Sequence, residues 1–148
     1  MTWQDLLNNS RARRHTTSKS ELDGLRAVIL RDLADAAIPQ LSADRRFATA
    51  YNAALQACSM VIACAGYRIT ARVGHHQATL DAVVLAMPAV APSYTAYFDT
   101  CRRKRNQVDY DVAGIISETE ADELLEKVSG FYDEVERWIA ANHPALVP

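Results

Sequence analysis

A chain of 148 residues, 49% hydrophobic and 23% charged, suits one globular domain and is too apolar for a disordered one. Its net charge of −2 excludes a surface that grips nucleic acid by general positive charge. The basic residues are nonetheless uneven: Arg11, Arg13, Arg14 and Lys19 crowd one segment, Arg102, Arg103, Lys104 and Arg105 form an unbroken run, and the C-terminal segment is acidic in compensation.

Residues 2–9 read as a short helix anchored by Trp3, Leu6 and Leu7, followed by a polar, basic stretch over 10–19 expected to be loose. Residues 1–19 therefore form a short helix and basic arm, ahead of a single helical bundle over 20–143. The second helix spans about 20–37, with Leu22, Leu25, Ile29, Leu33 and Ala36 at helical spacing and Pro39 ending it. The third starts after Ser42, a good N-cap, and runs to Ala65, where Gly66 closes it. Phe47, Tyr51, Ala54, Cys58, Val61 and Ala65 make one stripe of this helix, and the opposite side is also largely apolar, which marks it as central.

A fourth helix spans about 75–87 between Gly74 and Pro88, and a fifth about 93–112, ended by Gly114. The last opens on the capping box Ser117-x-x-Glu120 and continues to Asn142, with Leu124, Val128, Phe131, Val135 and Trp138 as its buried stripe. No segment shows sustained two-residue alternation, so strands are not expected. The fold class is all-α: a compact up-and-down bundle of about five helices plus the short N-terminal one.

Cys58, Cys64 and Cys101 sit within apolar helical patterns, with no CxxC pair and no signal-like leader, which predicts a reducing, cytoplasmic setting. Cys58 and Cys64 lie about 120° apart on a helix and do not share a ligand face, so no metal site is expected. No apolar run spans a membrane's depth without a polar interruption. Phosphate loops, GxGxxG, GxSxG and HExxH are absent, and no cofactor is implied.

Two residues break the apolar pattern. Tyr94, Phe98, Cys101, Arg105, Val108 and Val112 step by 4, 3, 4, 3 and 4 along the fifth helix, placing Arg105 on a core stripe. A guanidinium there needs a carboxylate, a wet cleft or a partner subunit. Asp109, one turn on, is the nearest carboxylate, and Arg102 and Asn106 complete a polar patch; a structural ion pair or a snorkelling stem accounts for the same spacing. His76 heads an inward stripe with Leu80, Val83 and Met87. It reads either as a hydrogen-bonded core histidine or as a titratable base sharing a cleft with Arg105.

The segment FDTCRRKRNQVDYD, together with RFATAYNAALQACSMVIACAGYR and the following GHHQATLDAV, resembles the HEPN superfamily, in particular its bacterial branch, over residues 20–140. Such domains carry an Arg-Asn pair followed by a short spacer and a histidine. Active members are metal-independent ribonucleases whose arginine and histidine meet those of a second subunit. Arg105 and Asn106 match the pair, but the histidine's place is taken by Tyr110, Asp111 and Val112.

The resemblance implies RNA or nucleotide association through Arg102, Lys104, Arg105, Asn106 and Asp109, without the usual ribonuclease centre. It also implies a homodimer and a toxin–antitoxin, stress or defence setting, with a neighbour-encoded nucleotidyltransferase as a candidate partner. Two alternatives stand beside this reading. One is an active ribonuclease using Arg105 with His76 or Tyr110; the other is a non-catalytic dimerising scaffold.

Overall fold

The computed structural model describes the backbone of residues 1–110 and 113–148, and the side chains of these residues except 108–110. Among the described residues the elements are α1 (Trp3–Asn8), β1 (Ala12–Arg14), α2 (Lys19–Ala36), α3 (Ala43–Cys64), β2 (Tyr67–Ile69), α4 (His75–Ala86), α5 (Ala91–Tyr110) and α6 (Glu118–Asn142), closed by a 3-10 turn, Pro144–Leu146. Five longer helices and a short first one make the all-α bundle that the apolar periodicity predicts.

Hydroxyl side chains set the starts. Ser18 and Ser42 accept from the backbone N–H groups of Glu21 and Arg45, each satisfying one of the donors a helix leaves orphaned at its first turn. Thr2 with Asp5 and Ser117 with Glu120 form reciprocal capping boxes at α1 and α6. Gly66 adopts φ +97° as the chain leaves α3 for β2, a region costly for residues with a Cβ.

α3 is the axis of the bundle, packing most extensively on α2 and α6 and then on α4 and α5. Phe47, Tyr51, Cys58 and Val61 are buried on one side of it, and Ala50, Ala53, Ala57 and Met60 complete the ring. Alanines at these positions let neighbouring helices approach closely. Among the described residues α3 alone is long and apolar enough to cross a membrane, but 67% of its most apolar window is buried within the bundle. Phe98 on α5 and Phe131 on α6 meet edge to face with ring centroids 5.4 Å apart.

The expectation of no strands is corrected. Residues 12–14, expected to be loose, pair antiparallel with residues 67–69 in the register Ala12↔Ile69, Arg13↔Arg68 and Arg14↔Tyr67. Three residues are too short to show alternation, and the pairing partner lies far along the chain. Burial anchors the ribbon: Leu6, Ala12, Ile62 and Ala82 form a second small core, joined by Trp3, Tyr67, Ile69 and Leu85. Trp3 stacks on Tyr67 with centroids 4.2 Å apart.

Two buried arginines tie the helices to one another. Arg26 on α2 donates to Glu136 and Asp23 and to the carbonyl of Leu146. Arg46 on α3 donates to the carbonyl of Ala36 at 2.7 Å and pairs with Glu118 and Asp122. Each guanidinium is thus fully engaged, the condition under which a buried charge is tolerated. Arg26 stands on the stripe Leu22–Arg26–Ile29–Leu33, the same core spacing that singles out Arg105.

Candidate functional site

α3, α4 and α5 bring Tyr51, His76 and Arg105 together. Tyr51 is fully buried at mid-helix on the central element, so its ring has a fixed position. The guanidinium of Arg105 lies over this ring, 5.6 Å from its centroid, a distance at which the face of a phenol attracts a cation. From α4, Nδ1 of His76 lies 3.3 Å from the Tyr51 hydroxyl, and the two rings are 5.6 Å apart. Tyr51 therefore separates and orients the other two: the arginine meets its face, the histidine its hydroxyl.

His76 is hydrogen-bonded to a buried core tyrosine and feels the charge of Arg105, which fits both readings of it. A backbone carbonyl does cap an imidazole at the start of α4, but it is that of His75, whose Nδ1 meets Ala71 O at 3.0 Å. His75 itself is exposed. Gly74, at φ +68°, delivers both histidines into the first turn of α4.

Burial, helped by the positive charges of Arg105, His75 and Arg102, holds the pKa of His76 below its ordinary value. The imidazole is consequently neutral at pH 7. Burial also raises the Tyr51 phenol far above its usual value, keeping it protonated. A neutral imidazole meets that phenol in either of two ways. With Nδ1–H donating to the phenol oxygen, Nε2 carries the lone pair and is basic; with the phenol donating to Nδ1, Nε2 carries the hydrogen and is a hydrogen-bond donor.

The other expected site residues differ in their engagement. Arg102 donates to Asp99 at 3.0 Å, and Arg103 reaches the same carboxylate at 3.5 Å. Lys104 pairs with Glu120 on α6, and Asn106 is exposed. The side chains of Val108, Asp109 and Tyr110, and the whole of Asp111 and Val112, lie outside the described residues. Tyr51 was missed as a functional residue because its place on an apolar stripe reads as core. Its signal is tertiary.

No group of His, Cys, Asp or Glu suited to a metal ion occurs among the described residues. The three cysteines are buried, with the Cys58 thiol pushed up to about 12 and that of Cys101 to about 11 by desolvation. They are small hydrophobes here rather than nucleophiles.

The bundle of α2 to α6, with an Arg-Asn pair late in α5, points to the HEPN class. The family model for SAV_6107-like HEPN domains matches residues 37–136, and the chain belongs to that family. Tyr51, His76 and Arg105 fall inside the matched region, whereas α1, β1 and α2 precede it. No curated protein and no solved structure gives a significant match.

Proposed function

We propose that this chain is a nucleic-acid- or nucleotide-associated HEPN protein that binds phosphate at α5 and lacks the usual ribonuclease centre. The observation that carries the reading is Arg105 held over the ring of Tyr51, on a family match whose motif has no histidine after the Arg-Asn pair. An arginine seated on a rigid aromatic face is pre-oriented for a phosphate oxygen, and Arg102 adds positive potential beside it. Asn106, exposed on the same helix, supplies a neutral donor.

RNA binding measured over a salt series tests this. Phosphate contacts release counterions, so affinity falls as salt rises, and Arg105→Ala reduces both the affinity and the salt slope, by about one counterion. Wild-type and variant curves that coincide, or binding absent at low salt, overturn the reading.

One observation favours a second reading, residual ribonuclease activity. His76 is neutral, hydrogen-bonded through Tyr51 and close to Arg105, which is the equipment for moving the proton of a ribose 2′-hydroxyl. Cleavage that fades on acidification and vanishes in His76→Ala supports it. Undetectable cleavage at every pH, with RNA binding intact, leaves Arg105 as a binding residue.

The assembly we propose is a two-fold homodimer with α5 near the axis, each subunit completing the polar patch of the other. Light scattering at tens of micromolar tests it, and a monomer there sinks it. A toxin–antitoxin, stress or defence role in the bacterial cytoplasm, with a nucleotidyltransferase as cognate partner, belongs to the same proposal. Co-purification of the two gene products decides that part.

A further inference from the structure

A pocket of about 370 Å³ opens between β2, the first turns of α2 and α4, and the face of α3. Tyr51, His76 and Arg105 do not line it. Its size lies at the lower end of the roughly 300–1,000 Å³ that hold small ligands. Leu25, Ile62 and Ile69 supply apolar walls, while Gln56 and Ser59, one turn apart on α3, supply a carboxamide and a hydroxyl. Among the described residues neither of these polar side chains has a protein partner. Half-buried donors and acceptors of this kind meet water or a ligand.

The rim of the pocket carries an electrostatic conflict. Arg68, which lines it, stands directly opposite Arg13 in the β1–β2 ribbon. Residues so paired share a face with Cβ atoms about 5 Å apart, and like charges there are destabilising. Arg11, Arg14 and Arg72 flank the pair, and among the described residues none of these five arginines forms an ion pair with a carboxylate.

The carboxylate that does line the pocket, Glu21, is already engaged. Its two oxygens lie 2.8 and 3.0 Å from His15 Nε2, and Thr17 donates to one of them. One carboxylate facing two guanidinium groups leaves the rim positive, although Glu21 already feels the charge of Arg68.

We propose that the β1–β2 ribbon and this pocket form a binding site for a phosphomonoester. The phosphate bridges Arg13 and Arg68, relieving their repulsion. A compact ring with a hydrogen-bonding edge enters against Leu25, Ile62 and Ile69 and meets Gln56 and Ser59. β1 precedes the family match at residues 37–136, so the site is separate from the Arg-Asn motif and does not rest on the α5 reading.

Calorimetry on the full chain tests it, with adenosine 5′-monophosphate, ribose 5-phosphate, inorganic phosphate and adenosine as probes. The monophosphate binds best, and both inorganic phosphate and adenosine bind more weakly, each lacking one half of the ligand. Arg68→Gln lowers affinity for the monophosphate by about tenfold, as expected for losing a charge-assisted hydrogen bond. Glu21→Gln, which keeps a hydrogen-bonding group beside His15, raises it. The component of binding that Arg68→Gln removes persists in Arg105→Ala, which keeps this test apart from that of the α5 site.

Arg13→Gln raises the Tm of the free protein and shrinks the stabilisation given by ligand. A 5′-phosphorylated RNA oligonucleotide that competes where its 5′-hydroxyl twin does not identifies a strand end as the source of the phosphate. Competition by the free monophosphate alone identifies a metabolite. Wild-type protein that binds no phosphomonoester at millimolar concentration overturns the proposal. So does an Arg68→Gln variant that binds as well as wild type, or a lower Tm of free Arg13→Gln.

Discussion

Nδ1 of His76 and the hydroxyl of Tyr51 lie 3.3 Å apart, joining the first turn of α4 to the middle of the central helix. The contact sits where burial and the nearby arginines disfavour the imidazolium, so a group that is ordinarily half-charged near pH 6.5 is held neutral. Which of the two groups donates across this contact decides whether Nε2 of His76 offers a lone pair or an N–H.

The first prediction is a titration. In an NMR pH series the His76 imidazole titrates below its ordinary value of 6.5, and in Arg105→Gln it moves upward, because a positive charge nearby has been removed. A resonance that titrates at or above 6.5 in wild type contradicts the electrostatic account.

The same shift has a consequence for stability. A histidine whose folded pKa is lowered binds its proton more readily in the unfolded chain, so protonation favours unfolding. The stabilisation is complete above pH 6.5, declines as pH falls through that value, and levels off below the folded pKa. Denaturation of wild type and His76→Gln at pH 7.5 and 5 therefore yields a gap between the two that changes in favour of the variant on acidification. Parallel curves refute it.

Burial of Phe131 and Leu6 predicts where truncation hurts. Phe131, fully enclosed against Phe98 and Tyr94, should cost about 3–5 kcal/mol on replacement by alanine. Leu6 is 1% exposed in the small second core, so Leu6→Ala costs about 2–5 kcal/mol, although α1 has six residues. Trp138 is half-buried, its ring tilted against that of His143 at 5.2 Å between centroids, and its truncation costs less than that of Phe131. Urea denaturation ranks the three variants.

Arg46→Met removes the donor to the carbonyl of Ala36 and the link from α3 to Glu118 and Asp122 on α6. Both carboxylates remain well exposed and rehydrate, so the main loss is the buried carbonyl's partner, about 1–3 kcal/mol. A variant as stable as wild type shows that this tie contributes nothing net, an outcome known for some buried ion pairs.

Thiol labelling checks the core from another side. With Cys58 pushed up to about 12 and Cys101 to about 11 by burial, little thiolate exists at pH 8. A charged thiol reagent should label neither in the native state and all three cysteines after unfolding. Rapid native labelling of Cys58 means that α3 is not the enclosed axis described above.

Much of the architecture was legible because it is written locally. Ser42 and Ser117 cap their helices through hydrogen bonds that span three residues, and the apolar stripes of α3 and α6 repeat every three or four. Arg105 and His76 stood out by the same periodicity, as polar residues on core stripes, and the Arg-Asn pair carried the family. Arg26 sits on an equally clear stripe, yet its place in a bond network reaching Glu136 and Leu146 appears only once α2 meets α6 and the C-terminal turn.

Relations between segments distant along the chain were decided by the tertiary structure. A strand of three residues has no periodicity to detect, and it exists because Leu6 and Ala12 bury against Ile62 and Ala82, bringing residues 12–14 beside residues 67–69. Tyr51 looks like any other core aromatic until α4 and α5 set an imidazole at its hydroxyl and a guanidinium over its ring. Helix propensity and capping act within a few residues and survive in the bare sequence; hydrogen bonding, desolvation and the field of distant charges depend on three-dimensional proximity, which only packing creates.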